Sequence, residues 1–253
     1  MGRAKDIIVK VIPAKIANEF VKKHHYSGKV VNMSILHFGS FLDGKLHGVM
    51  SFGPPMDKRN ALPLVETSNK GIKEKWNEML ELNRMAFDDY LPKNSESRCI
   101  SVAIKMIKNK APQVKWLLSY SDATQCGDGT IYRASGFQLT NIGKNSTIYR
   151  LASGEVVAKR GDTKKDMTKA ERLAGFQNRY IYLIDKTCKI TVPILPFSKI
   201  DEMGAGMYRG EKVSLQERKA KHAAVAHTGE HLASSQKGAF DSTLPLNNPV
   251  ISP

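Results

Sequence analysis

Cysteine is scarce, with three residues in 253: Cys99, Cys126 and Cys188. An odd, widely spaced set cannot build a disulfide framework, and no Cys-x-x-Cys pair marks a structural zinc site. Long apolar runs are missing as well. No stretch approaches the roughly 18 apolar residues of a transmembrane helix, so no membrane partner is expected. The basic start MGRAKDIIVK lacks the apolar core of a secretory signal. Gly2 is present, but Asp6 stands where a myristoylation motif wants Ser or Thr. Together these absences predict a reduced, cytoplasmic protein. Hydrophobic residues still make up 41% of the chain, enough to fill a core.

Acids are in the minority. Against 39 Lys and Arg stand 24 Asp and Glu, a net charge of +15. Such a field attracts polyanions and releases their counterions on contact. The plainer alternative is a solubility device. No zinc-finger spacing, heptad basic zipper or RNP1-like motif accompanies the charge, which is spread over the chain. An enzyme acting on nucleic acid fits better than a dedicated transcription-factor module.

The first 150 residues alternate strand and helix signals. Residues 7–12 (IIVKVI) read as a strand. Pro13 then opens a helix with an apolar stripe of Ile16, Phe20 and Val21, running to His24 and His25. Residues 34–41 and 45–52 form a hairpin around Asp43-Gly44, a turn pair whose backbone suits two tightly joined strands. A short helix (71–79) and a strand (80–87, LELNRMAF) follow. Asn94-Ser95 caps a helix whose Ile100, Ala103, Ile104 and Ile107 share one face. Residues 114–121 read as a buried strand. A short helix runs from Asp128-Gly129 to Gly136, followed by two closing strands at 137–140 and 147–151. This order predicts an α/β (α+β) domain over residues 1–151, a mixed central sheet with helices on both faces. Residues 152–203 read as a basic arm plus a hairpin at 180–197, its prolines favouring a sheet edge. Residues 204–253 read as a mostly flexible C-terminal extension.

Tyr132, Gly136 and Phe137 form Tyr-x-x-x-Gly-Phe, which resembles the end of the fourth helix in the GNAT (GCN5-related N-acetyltransferase) fold. The element order is also similar to that of GNAT proteins. A second resemblance covers about residues 5–151 and the segment near 180–197. HHYS at 24–27, LHFGSFLDGKLHGVMSFG, ELNRMAF, PKNSESRCIS, SYSDA and GTIYRASGF together resemble the Mom family. That resemblance implies a GNAT-like fold and a phage DNA-modification transferase. It also implies transfer of a carbamoylmethyl group to the exocyclic N6 amine of adenine, which blocks restriction nucleases. Double-stranded DNA in the host-cell cytoplasm is then the partner. Ordinary GNAT proteins carry a glycine-rich loop after the fourth strand that cradles the pyrophosphate of coenzyme A. Here residues 89–98 (DYLPKNSESR) hold no glycine. A close backbone approach to pyrophosphate is not expected from them.

Adenine N6 is a weak nucleophile, hidden in the duplex, so transfer needs a base, a positioned electrophile and an extruded nucleotide. Asp122, at the end of a strand, is read as the group that accepts or bonds the N6 proton, with a helix cap as the structural alternative. The GNAT resemblance makes Tyr132 the acid or the orienter of the donor; its alternative is core packing. His25 is read as a base and Tyr26 as a stacking surface for adenine, against a plain helix-end role. Arg84, Ser97, Arg98, Ser119 and Ser121 are read as holding the donor, a carboxylate or a phosphate. Lys159, Arg160, Lys164, Lys165, Lys169 and Arg172, with Phe176 and Tyr180 following, are read as phosphate contacts, against a solvated loop. His37 and His47 read as structural, and no metal is expected. The donor stays open among acetyl-CoA, glycine and glycyl-tRNA; tRNA as a partner and a homodimer stay open too. An ordinary acetyltransferase using acetyl-CoA and a non-catalytic DNA-binding protein are the competing readings.

Overall fold

In this computed structural model, residues 3–68, 72–124, 128–159, 166–173, 175–208, 211–212 and 216–217 are described. Two units are distinguished, Met1–Leu215 and Gln216–Pro253. Of the second, only Gln216 and Glu217 fall among the described residues; of the extension expected over 204–253, residues 204–208 and 211–212 are also described, with Ala205 buried in the core, and the rest lies outside.

The first unit begins with strand β1 (Ile8–Val11) and helix α1 (Ala14–His24). Pro13 precedes the first helical residue and supplies a fixed φ of −61° there. The buried face of α1 is Ala17, Phe20 and Val21. Ile16, expected on that face, is 40% exposed. The stripe is built on the small Ala17, whose size lets the helix approach the sheet closely. Strands β2 (Leu36–Leu42) and β3 (Lys45–Gly53) form the expected hairpin. Asp43 and Gly44 both take positive φ, 51° and 77°, as the tight turn demands.

A short helix α2 (Lys58–Ala61), strand β4 (Val65–Glu66) and helix α3 (Ile72–Asn77) lead to strand β5 (Met79–Phe87). Helix α4 (Ser95–Lys110) buries Cys99, Ile100, Ala103, Ile104 and Ile107 on one side. Asn94 precedes it in the left-handed region, φ 65°, and its side chain makes no cap bond. This corrects the expected N-cap. Strand β6 (Trp116–Asp122) and helix α5 (Thr130–Ala134) follow. Gly136, φ 81°, ends α5: the Phe137 N–H bonds the Tyr132 carbonyl at 3.0 Å and the Gly136 N–H bonds that of Arg133 at 3.1 Å.

Strand β7 (Gln138–Asn145) is longer than expected. Strands β8 (Ile148–Arg150), β9 (Val156–Ala158) and β10 (Glu171–Arg172) form a separate three-stranded sheet in the order β10-β8-β9. Strand β11 (Gly175–Leu183) is the main departure. The sequence places an edge hairpin here. Instead β11 lies inside the central sheet, in the order β1-β2-β3-β5-β6-β11-β7, antiparallel to both neighbours. The main sheet therefore takes a strand from beyond residue 151. Strand β12 (Lys189–Ile190), which carries part of the expected hairpin, pairs with β4.

The sheet is mixed, with helices on both faces as expected. Face A packs Met50, Phe52, Leu80, Leu82 and Leu117 against α4 and α5. Face B packs Val49 and Ala86 against α1. Further along face B, Trp116, Leu118 and Ile181 pack against Ala61, Leu64 and Val65. Among the described residues no helix is long and apolar enough to cross a membrane.

Candidate functional site at the fork of the sheet

Strands β5 and β6 run parallel and pair over four rungs, from Met79 with Trp116 to Leu82 with Ser119. There they part. Beyond Leu82, β5 is paired with β3; beyond Ser119, β6 is paired with β11. A bulge sharpens the fork, because the β3–β5 register steps from Arg84 to Leu82 and leaves Asn83 extra. The fork lies at the carboxyl ends of two parallel strands, where open α/β sheets place their ligands.

Ser119 stands at the crotch. Its hydroxyl bonds the Tyr132 hydroxyl at 3.0 Å and reaches the Leu82 carbonyl at 3.5 Å. The Tyr132 ring stacks on Tyr180 at 4.3 Å and 9°. The Tyr180 hydroxyl lies 3.2 Å from that of Ser121. Two stacked tyrosines, each tied to a β6 serine, thus line face A. The structure brings Ser119, Ser121 and Tyr132 together. Tyr180, expected as a phosphate contact, is fully buried, and Phe176 packs against the core; both expectations are corrected. The Gly129 backbone makes this packing possible: a Cβ there would sit 2.2 Å from the Tyr180 hydroxyl. Asn178, opposite Ser121, is fully buried with both amide atoms lacking hydrogen-bond partners.

Face B carries the second group. His25 ends α1, its Nδ1 taking the Ser27 N–H at 3.1 Å and lying 2.8 Å from the Ser27 hydroxyl. Its ring lies 4.3 Å from that of Tyr26, which is 57% exposed. Burial first, and then the Arg84 charge, push the His25 imidazole down to about 4, so it is neutral at physiological pH. Arg84 donates to the Lys29 carbonyl at 2.8 Å and to the Asn83 carbonyl at 2.8 Å. His25, Tyr26 and Arg84 therefore meet where the loop after α1 touches β5.

Asp122 ends β6, and its Oδ1 accepts the Thr124 N–H at 3.0 Å, a turn-closing role. At the start of α4, Ser97 bonds the Asn94 carbonyl at 3.2 Å, and Arg98 donates to the Lys5 carbonyl at 2.9 Å. Ser95 is buried with its hydroxyl on the Pro92 carbonyl. These three side chains bond carbonyls of the chain itself, and residues 89–98 hold no glycine. His37 is buried against Ser51 at 2.8 Å and His47 against Asp88 at 2.9 Å. Lys159, Lys169 and Arg172 are exposed on or beside the small sheet; Arg160, Lys164 and Lys165 lie outside the described residues. Among the described residues no three His, Cys, Asp or Glu side chains gather as metal ligands do.

An apolar cavity of about 610 Å³ opens elsewhere, lined by Leu36, Trp76, Met79, Leu80 and Val114 among others. It sits at the amino ends of β5 and β6 and includes none of the expected site residues.

Residues that local sequence reasoning missed also sit at the fork. Glu81, on face B, is surrounded by protein, and burial raises its carboxyl above the ordinary range. The Asn83 side chain, the Met56 backbone and the Arg84 charge act against that rise. Tyr120 is likewise raised, by burial first; Arg179 opposes this and the Glu81 charge adds to it. Arg179 in turn donates to the Thr140 hydroxyl at 3.0 Å. The alternation of LELNRMAF puts Glu81 opposite the core-facing Leu80 and Leu82, a signal that was present in the sequence.

A forked parallel pair, with hydroxyls on one face and charged groups on the other, is the candidate site of this α/β domain. The chain belongs to the Mom protein family, which it matches over residues 6–199. It is 38% identical over 151 residues to the methylcarbamoylase mom of Escherichia phage Mu, 58% of each chain. The match thus spans less than two thirds of that relative. A GNAT family acetyltransferase from Elizabethkingia anophelis with acetyl-CoA bound overlaps at a TM-score of 0.45 and 14% identity, over 70% of this chain and 97% of its own. The ribosomal-protein-S18-alanine N-acetyltransferase from Escherichia coli overlaps at 0.43 and 12%, over 71% and 94%.

Proposed function

We propose that the protein is a DNA-modification transferase that places a carbamoylmethyl group on the N6 amine of adenine in phage DNA, protecting it from restriction. The observation that supports this most is the fork itself, in a chain of the Mom family. The pair Ser119–Tyr132 faces one side and His25–Arg84 the other, so a donor and an acceptor amine can meet across it. N6 must form a bond to carbon and give up a proton. In this reading the Tyr132 hydroxyl assists the leaving group, and the Asp122 carboxylate takes the proton. The neutral His25 imidazole is a second acceptor. Tyr26, exposed beside it, offers a stacking face for an extruded base. In this reading Arg84, Ser97 and Arg98 are the groups that hold a donor or the DNA backbone. The basic small sheet, with Lys159, Lys169 and Arg172, supplies phosphate contacts.

The test is nucleoside mass spectrometry of DNA from cells expressing the protein. A deoxyadenosine heavier by one carbamoylmethyl group is expected, absent with Asp122→Ala. Unchanged nucleosides under full expression overturn the reading. The donor is glycine-derived in this reading, and ribonuclease treatment of active extract separates glycyl-tRNA from free glycine. Calorimetry with coenzyme A should show no binding.

A further inference from the structure

We propose that Glu81 and Tyr120 form the recognition site for the base itself, Glu81 accepting a hydrogen bond from an exocyclic amine while Tyr120 covers a ring face. This rests on the adenine reading above and adds which groups of the chain select the amine. Three observations carry it.

The first is position. Glu81 is one rung below the parting of β5 and β6, paired in register with Leu118, and on the face opposite the α4 core. Tyr120 is the first residue of β6 past the last rung, and its face matches that of Leu118 two residues before it. Both side chains therefore lie on face B, Glu81 just below the fork and Tyr120 on the β6 arm.

The second is chemistry. A carboxylate taken largely out of water costs several kcal/mol unless it is bonded. Glu81 lies beside Asn83 and Met56 with the Arg84 charge nearby; these favour its ionised form, but burial outweighs them and raises its carboxyl. An amine donating to it would favour the ionised form, which only accepts hydrogen bonds and so suits an amine and rejects a carbonyl at the same point. That distinction separates adenine or cytosine from guanine or thymine at the amine position.

The third is the wall. Tyr120 is 36% exposed although it sits on an interior strand of the sheet, and Arg179 stands directly across from it in register. An exposed ring is a stacking surface for a base.

The test uses the full chain and no donor. Two single-stranded oligonucleotides of one sequence are compared, one with adenine and one with every adenine replaced by purine, which lacks the amine. Wild type should bind the adenine strand about ten-fold tighter. Glu81→Leu, which removes the acceptor, should erase that ratio. Tyr120→Ala should weaken both strands, and Tyr120→Phe should restore them. Thermal melting shows that each variant is folded. Equal wild-type affinity for the two strands, or a ratio untouched by Glu81→Leu, overturns the proposal. If the nucleoside assay finds modified adenine while that ratio is absent, this inference fails and the function above stands.

Discussion

At Tyr132 the ring is pinned on Tyr180 and the hydroxyl is held by Ser119. Tyr132→Phe removes one oxygen and leaves the stack. We expect a stability loss of about 1 kcal/mol and at least a ten-fold fall in transfer. Urea unfolding and the nucleoside assay read the two effects separately. His25 gives a pH signature. Its imidazole titrates near 6.5 when unfolded and near 4 when folded. Between those values the unfolded chain binds the extra proton, so this contribution to stability is lost as pH falls. Urea midpoints at pH 7 and pH 5 should converge in His25→Gln relative to wild type. Asn178 gives a third test at this scale. Its two unbonded buried atoms cost stability. Asn178→Leu should therefore raise the melting temperature, while transfer falls if the amide serves the donor side of the fork.

Among the elements, α5 is the one whose terminus controls the site. Gly129 takes φ 71°, and an added Cβ would meet Tyr180. Gly129→Ala should cost about 2 kcal/mol or more and slow transfer, because it displaces the stacked pair. Calorimetric unfolding checks the first part. Most elements were legible because their signals are local: Asp43-Gly44 for the hairpin, the i, i+3, i+4, i+7 isoleucine face for α4, Gly136 for the end of α5. Strand β11 was legible as apolar chain but not as the sixth strand of the sheet. Its pairing spans a long excursion through the basic small sheet, and local alternation says nothing about which distant edge a strand will join. The same limit hid Tyr180, since its partner Tyr132 is brought to it only by that pairing. At the fork, Ser119 and Ser121 were readable from alternation along a strand, and Tyr132 from the resemblance of its Tyr-x-x-x-Gly-Phe run. Glu81 and Tyr120 lie in ELNRMAF and SYSDA, but their meaning comes from the place where two strands separate, which no local motif shows.

For the whole molecule the excess of Lys and Arg sets how it meets a polyanion. Binding to non-target DNA should weaken steeply with salt. Replacing Lys169 and Arg172 together by Gln should lower the log–log salt slope by roughly 1 to 2. Filter binding across a salt series measures it. The parting of β5 and β6 carries one more consequence. Past Leu82 and Ser119 each arm keeps its outer neighbour, so alternate amides on the inner edges have no ladder mate across the gap. Their hydrogens should trade with deuterium quickly in the empty protein, far faster than those of the sealed rungs just below. Filling the gap should quiet them, so the exchange rate of a few backbone protons becomes a gauge of occupancy that needs no turnover at all.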